Sequence, residues 1–131
     1  MKTVAFDFDG VIAEYDGWKG VDVFGSPNLE VIKAMQKLAR KGYHIIIWTT
    51  RNETLALRLY LAEHNVSYSS INSTSHNPPY TSTKPIYHVF VDDRAVGYRG
   101  QKADKLIRTI EYVIENGAHI QETKKDGKNI V

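Results

Sequence analysis

The chain has 131 residues, of which 42% are hydrophobic and 24% charged, with a formal net charge of +2 and no cysteine. These values are typical of one globular domain, and they exclude disulfides and any metal site built from thiolates. The charge is too small for a nucleic-acid-binding footprint, and no apolar run reaches the roughly 20 residues that span a bilayer. Because no secretory signal precedes the first strand, we expect a cytoplasmic protein without membrane partners.

Four short apolar segments are predicted as strands, and they alternate with helical patterns along the chain. The strands are expected at residues 3–8, 43–48, 68–71 and 88–91. Alternation of apolar strands with helices is typical of an α/β sheet whose strands are mostly parallel. We therefore predict one doubly wound, Rossmann-like domain over residues 1–131, ending in a polar tail at about 120–131.

Local signals predict where the helices begin and end. Ser26 followed by Pro27 is typical of an N-cap and a first helical position, and Gly42 can end that helix in a left-handed conformation. Thr50 and Glu53 fit a capping box at the start of the second helix, which runs to about residue 65. The third helix stops near residue 117 and carries apolar residues at helical spacing, namely Leu106, Ile107, Ile110, Val113 and Ile114.

Polar residues follow three of the predicted strands, at 7–9, 49–51 and 92–94. In a parallel sheet these strand ends share one edge, and ligands bind at that edge. Four carboxylates would meet there, and like charges so close repel one another unless a cation lies among them. Hard oxygen ligands in a chain without cysteine favour Mg²⁺. The carboxylates are those of Asp7, Asp9, Asp92 and Asp93.

Such an edge suits the attack of a carboxylate on phosphorus. A cation shields the attacking anion from the phosphoryl oxygens, while a threonine hydroxyl, backbone N–H groups and a lysine can hold those oxygens. A second carboxylate two residues after the first could protonate the leaving oxygen and later deprotonate a water.

The sequence resembles the haloacid dehalogenase-like superfamily of phosphotransferases. The resemblance covers roughly residues 3–94 and rests on three fragments in the family's order and spacing. They are DFDGV for an acidic first motif, IIIWT for a strand that ends in threonine, and VFVDD for an acidic fourth motif.

Membership of this superfamily implies a role for each of these residues. Asp7 would be the nucleophile that forms an aspartyl-phosphate, and Asp9 the general acid and base, with its backbone carbonyl in the magnesium shell. Thr49 would hydrogen-bond the phosphoryl group. Asp92 would bind Mg²⁺, and Asp93 would bind it through water or support another ligand.

Three further residues complete the predicted phosphate-binding set. Lys84 lies upstream of the acidic fourth motif, where the family places its lysine, although a solvent-exposed lysine is the alternative. Gly10, which lies in the turn after the first strand, would also bind the phosphate. Arg51 either reaches the substrate or forms a structural salt bridge, and Trp18, in the connection 10–25, either packs that connection onto the domain or stacks on a base.

Neither stretch between the motifs is long enough to hold a separate cap domain, so the cleft is expected to be open. It would admit a bulky substrate or be covered by a second subunit of a homo-oligomer. DFDGVIAEYDG is similar to deoxyribonucleotidase-like members, which indicates a nucleotide or another phosphorylated metabolite as substrate. TTRNE with VDDR is similar to polynucleotide 3′-phosphatases, which gives nucleic-acid ends as the alternative.

A non-enzymatic module is the hypothesis from a different class. Response-regulator receiver domains share the size, the sheet and the acidic cluster, but they place adjacent acids after the first strand and the phosphoacceptor after the third. Here the order is different, with the adjacent acids after the fourth strand. A related fold that only binds a ligand is the remaining alternative.

Overall fold

A computed structural model describes residues 2–116 of the chain. Its four strands form one all-parallel sheet in the order β3-β2-β1-β4, with three helices. The α/β, Rossmann-like prediction is therefore confirmed. The elements in chain order are β1 (Thr3–Phe6), α1 (Leu29–Arg40), β2 (His44–Ile47), α2 (Leu55–Glu63), β3 (Ser70–Ile71), β4 (Val89–Val91) and α3 (Ala103–Asn116).

The core lies between one face of the sheet and the helices α1 and α2. Val4 and Phe6 of β1 are level with Ile45 and Ile47 of β2, so these four side chains share a face. Buried residues of both helices belong to the same core cluster, and they are Ile32, Met35, Leu57 and Leu61. β1 lies between β2 and β4 in the sheet, and all four of its residues are buried.

The first helix begins later than its sequence signal predicts. Asn28 is the N-cap, and its side chain accepts a hydrogen bond from the N–H of Val31. The prediction of Ser26 as the cap is wrong because the Ser26 carbonyl accepts from the N–H of Glu14, while Pro27 forms a β-bridge to Ala13. Both residues close the loop after β1 instead of starting the helix.

The second helix also begins later, and the capping box at residues 50–53 is wrong. Thr54 is the N-cap, with its hydroxyl accepting from the N–H of Leu57 at 3.1 Å. The side chain of Asn72, which follows β3, fixes the preceding turn. Its amide accepts from the Thr49 N–H and donates to the Arg51 carbonyl. A backbone fixed in that way cannot continue into helix.

The predicted ends of the first two helices agree better with the structure. Gly42 follows α1 with φ +89°, the left-handed conformation expected of it, and α2 ends two residues before Asn65, which has φ 57°. The predicted end of α3 near Gly117 and the tail at about 120–131 lie outside the described residues. No helix within residues 2–116 has the length and apolar character that crossing a membrane requires.

Candidate functional site

Three aspartates meet at the carboxyl edge of the sheet, and we call them the acidic triad: Asp7, Asp92 and Asp93. Asp7 follows β1 directly, and the two others follow β4. The strands β1 and β4 are adjacent and parallel, with Phe6 level with Val91, so the residues after them emerge side by side. One carboxylate oxygen from each aspartate lies within 4.8 Å of the others.

The surroundings of Asp7 and Asp93 disfavour the charged forms of their carboxyl groups. Burial raises the pKa of Asp7 to about 7, and the hydrogen bond to Asp92 and the charges of Asp92 and Asp93 act in the same direction. A hydrogen bond from the N–H of Phe8, at 2.8 Å, opposes them. Burial, followed by the charge of Asp92, also raises the pKa of Asp93.

One oxygen of the triad lacks a protein partner. Oδ1 of Asp93 is buried and accepts no hydrogen bond from any described residue of the chain. A buried carboxylate oxygen without a donor is costly unless a cation or another ligand satisfies it. Three hard oxygen donors, one of them unsatisfied, are a donor set that fits a divalent cation such as Mg²⁺.

Gly10 makes room for the triad. Its φ is +86°, and a Cβ at this position would collide with Oδ2 of Asp93. A side chain here would therefore displace a candidate metal ligand. The Gly10 N–H donates to the Ala13 carbonyl at 2.8 Å, so in this structure it closes the loop, and its phosphate contact stays a prediction.

Asp9 is paired with Arg51 and does not belong to the triad. The guanidinium donates from Nε to Oδ2 at 2.8 Å and from Nη2 to Oδ1 at 3.1 Å. The Arg51 side chain is only 4% exposed and that of Asp9 14%. Of the two alternatives for Arg51, this structure contains the salt bridge. The predicted contact between the Asp9 carbonyl and a metal stays a prediction.

The same guanidinium binds the connection 10–25, which we call the flap. It donates to the carbonyls of Val21, at 2.6 Å, and Val23, at 3.0 Å. It also lies over the rings of Trp18, at 4.7 Å from the centroid, and Phe24, at 4.8 Å. Trp18 therefore packs the flap onto the domain through a cation–π contact. The buried Arg51 side chain joins the flap and Asp9 in one network.

Thr49 lies after β2, and its hydroxyl oxygen accepts from the N–H of Arg51 at 3.2 Å. Since a hydroxyl is both donor and acceptor, its hydrogen remains available to a ligand. Asn72, which follows β3, positions this threonine by accepting from its N–H at 2.8 Å. Sequence reasoning missed Asn72; the signal was an asparagine at a strand end, a residue that tolerates the left-handed φ of 54° found here.

Lys84 is exposed in the connection between β3 and β4. Its carbonyl accepts from the amide of Asn77 at 2.7 Å, which fixes the backbone around it. Within residues 2–116 no ion pair joins Lys84 to the triad. Its contact with phosphate therefore stays a prediction.

Comparisons with known proteins support the fold but do not indicate a function. No protein-family model matches the sequence, and no curated protein matches it. A solved structure described as a conserved protein from Bacteroides thetaiotaomicron is similar, with a TM-score of 0.58 and 24% identity. The similarity covers 86% of this chain and 89% of that one. At this identity the likeness shows the fold alone.

Proposed function

We propose that this protein is a Mg²⁺-dependent phosphomonoester hydrolase of the haloacid dehalogenase-like type, with Asp7 as its nucleophile. The observation that carries the proposal is the acidic triad, which brings Asp7 within 4.8 Å of two carboxylates after the neighbouring strand. A lone surface carboxylate would be hydrated and unreactive. A half-buried carboxylate beside two other carboxylates, as at Asp7, is a better candidate for the nucleophile of a covalent phosphoryl transfer.

Asp7, Asp92 and Asp93 are the residues that would hold the cation. When bound, Mg²⁺ supplies positive charge that offsets the repulsion among these carboxylates and the phosphoryl oxygens. The buried Oδ1 of Asp93, which has no donor from the described part of the chain, supports this assignment.

The proposed reaction has two displacements at phosphorus. A carboxylate oxygen of Asp7 attacks, the bond from phosphorus to the ester oxygen breaks, and the leaving oxygen takes a proton from Asp9. A water then attacks the aspartyl-phosphate, Asp9 takes its proton, and inorganic phosphate leaves with Asp7 restored. Thr49, Lys84 and Gly10 are the candidates to bind the phosphoryl oxygens.

Asp9 can serve as acid and base only after its carboxylate separates from Arg51. Both of its oxygens accept from that guanidinium, which also donates to three carbonyls of the flap. We therefore propose that the flap is displaced during catalysis. The substrate is a nucleotide or another phosphorylated metabolite in the cytoplasm, admitted by a cleft without a separate cap domain.

Hydrolysis of p-nitrophenyl phosphate, with and without Mg²⁺, tests the proposal. We expect metal-dependent turnover in the wild type and a loss of at least about 10³-fold in Asp7→Asn, because the amide is a poor nucleophile. The matched control is Asp104→Asn, which changes an exposed aspartate of α3 and should retain wild-type activity. Wild-type activity in Asp7→Asn would contradict the mechanism. A stable phosphoprotein without turnover would favour the phosphoacceptor alternative.

A further inference from the structure

Asn72 connects the end of β3 to the turn after β2 through three hydrogen bonds. Its backbone N–H donates to the Ile47 carbonyl at 2.8 Å. Its side-chain amide accepts from the Thr49 N–H and donates to the Arg51 carbonyl, each at 2.8 Å. The two partners of the amide lie 23 and 21 residues away along the chain. The amide therefore fixes a distant turn, whereas the side chain of an asparagine in a loop commonly binds its own neighbours.

The turn that Asn72 fixes contains Thr49, a candidate ligand of the phosphoryl group. The Thr49 N–H donates to the amide of Asn72, and the Thr49 hydroxyl oxygen accepts from the Arg51 N–H at 3.2 Å. Both the backbone and the side chain of this threonine are thereby held. A hydroxyl that accepts in this way can still donate its hydrogen, so the position of its oxygen determines where it can meet a phosphoryl oxygen.

The Arg51 side chain does not depend on Asn72 for its position. Its guanidinium donates to both carboxylate oxygens of Asp9 and to three carbonyls of the flap. The bond from Asn72 reaches the backbone carbonyl of the same residue. Loss of the Asn72 amide should therefore release the turn at Thr49 while the pair between Arg51 and Asp9 persists.

We propose that Asn72 is a positioning residue of the phosphatase reaction, an inference that rests on the proposed function. It acts by holding the Thr49 hydroxyl where that group binds the transferred phosphoryl oxygens. The φ of 54° at this position suits asparagine, which also supplies the donor and the acceptor that a glycine lacks. Because a misplacement of about 1 Å can cost about 10²-fold in rate, loss of this amide should slow turnover without unfolding the protein.

The variant Asn72→Gly tests the proposal, because glycine removes the amide and tolerates the positive φ. Its matched control is Asn65→Gly, which replaces an asparagine of similar φ, 57°, two residues after α2. With p-nitrophenyl phosphate and Mg²⁺, we expect kcat/KM to fall roughly 10- to 100-fold in Asn72→Gly and to stay within about twofold of the wild type in Asn65→Gly. The inhibition constant of inorganic phosphate should rise in Asn72→Gly alone.

Two outcomes of this comparison have different meanings. Equal kcat/KM values and equal phosphate inhibition in Asn72→Gly and Asn65→Gly would overturn the positioning role in an enzyme that is otherwise active. Absence of turnover in the wild type would contradict the proposed function, and the positioning role with it.

A double-mutant cycle with Thr49→Ala separates positioning from a general structural role. If Asn72 acts through the threonine hydroxyl, Asn72→Gly should lower kcat/KM by less than about threefold once that hydroxyl is absent. The same loss in both backgrounds would overturn the proposal. Circular dichroism shows which variants are folded at the assay temperature.

Should Asn72→Gly fail to fold, Asn72→Asp takes its place in the cycle. Aspartate keeps the acceptor for the Thr49 N–H and tolerates the positive φ, but it cannot donate to the Arg51 carbonyl. Its loss of kcat/KM should also shrink in the Thr49→Ala background. Losses that add fully would again overturn the proposal.

Discussion

Among single residues, Asp7 of the acidic triad has an environment that disfavours its charged form. Its carboxylate lies within 4.8 Å of Asp92 and Asp93, is half-buried and has a pKa raised from 3.8 to about 7. Aspartates at strand ends are ordinary, but their convergence follows from parallel strands in register. The sequence predicted this convergence because the acidic motifs stand directly after two apolar strands.

The raised pKa of Asp7 predicts how stability depends on pH. The folded protein binds the Asp7 proton more tightly than the unfolded chain does, so the metal-free protein loses stability as the pH rises from about 4 to about 7. Asp93 acts in the same direction. In Asp7→Asn the unfolding temperature should fall less between about pH 5 and about pH 8 than in the wild type.

Mg²⁺ should reverse this loss. At about pH 8 the ion should raise the unfolding temperature of the wild type by several degrees, and that of Asp7→Asn much less, because binding stabilises the folded state only where the ligands are intact. Asp104→Asn should respond like the wild type. Equal metal responses in Asp7→Asn and the wild type would contradict the assignment of Asp7 to the cation site.

At the scale of structural elements, Arg51 organises the loop between β1 and α1. It lies after β2, but its side chain binds Asp9 and three carbonyls of the flap. The sequence could not decide between substrate binding and this salt bridge, because the partners are about 30 to 40 residues away along the chain. The late starts of α1 and α2 have a related cause, since loop contacts at Ser26 and Asn72 override local capping signals.

Removal of the guanidinium should destabilise the protein strongly. Arg51→Met leaves the Asp9 carboxylate and three flap carbonyls without their donor, and loss of one partner of a buried ion pair costs about 3–5 kcal/mol. The control Arg58→Met changes an exposed arginine of α2 and should cost less than about 0.5 kcal/mol. Urea denaturation measures both. Similar free energies of unfolding for the two variants would show that the Arg51 network contributes little.

At the scale of the whole molecule, the fold and the site depend on the same topology. The order β3-β2-β1-β4 places β1 in the interior and β4 beside it, so Asp7 and the two acids after β4 share an edge. Alternating strands and helices were enough to predict this class of sheet. The exposure of α3 was not predictable, because apolar residues at helical spacing normally indicate a face that packs against another element.

In the proposed mechanism Asp7 becomes phosphorylated during turnover. Acid quenching of the reaction with p-nitrophenyl phosphate and Mg²⁺, followed by mass spectrometry, tests it directly. We predict phosphate on the peptide that contains Asp7, and more of it in Asp9→Asn, in which loss of the general base slows hydrolysis of the intermediate. Turnover without phosphorylation of Asp7 in either protein would contradict the covalent mechanism.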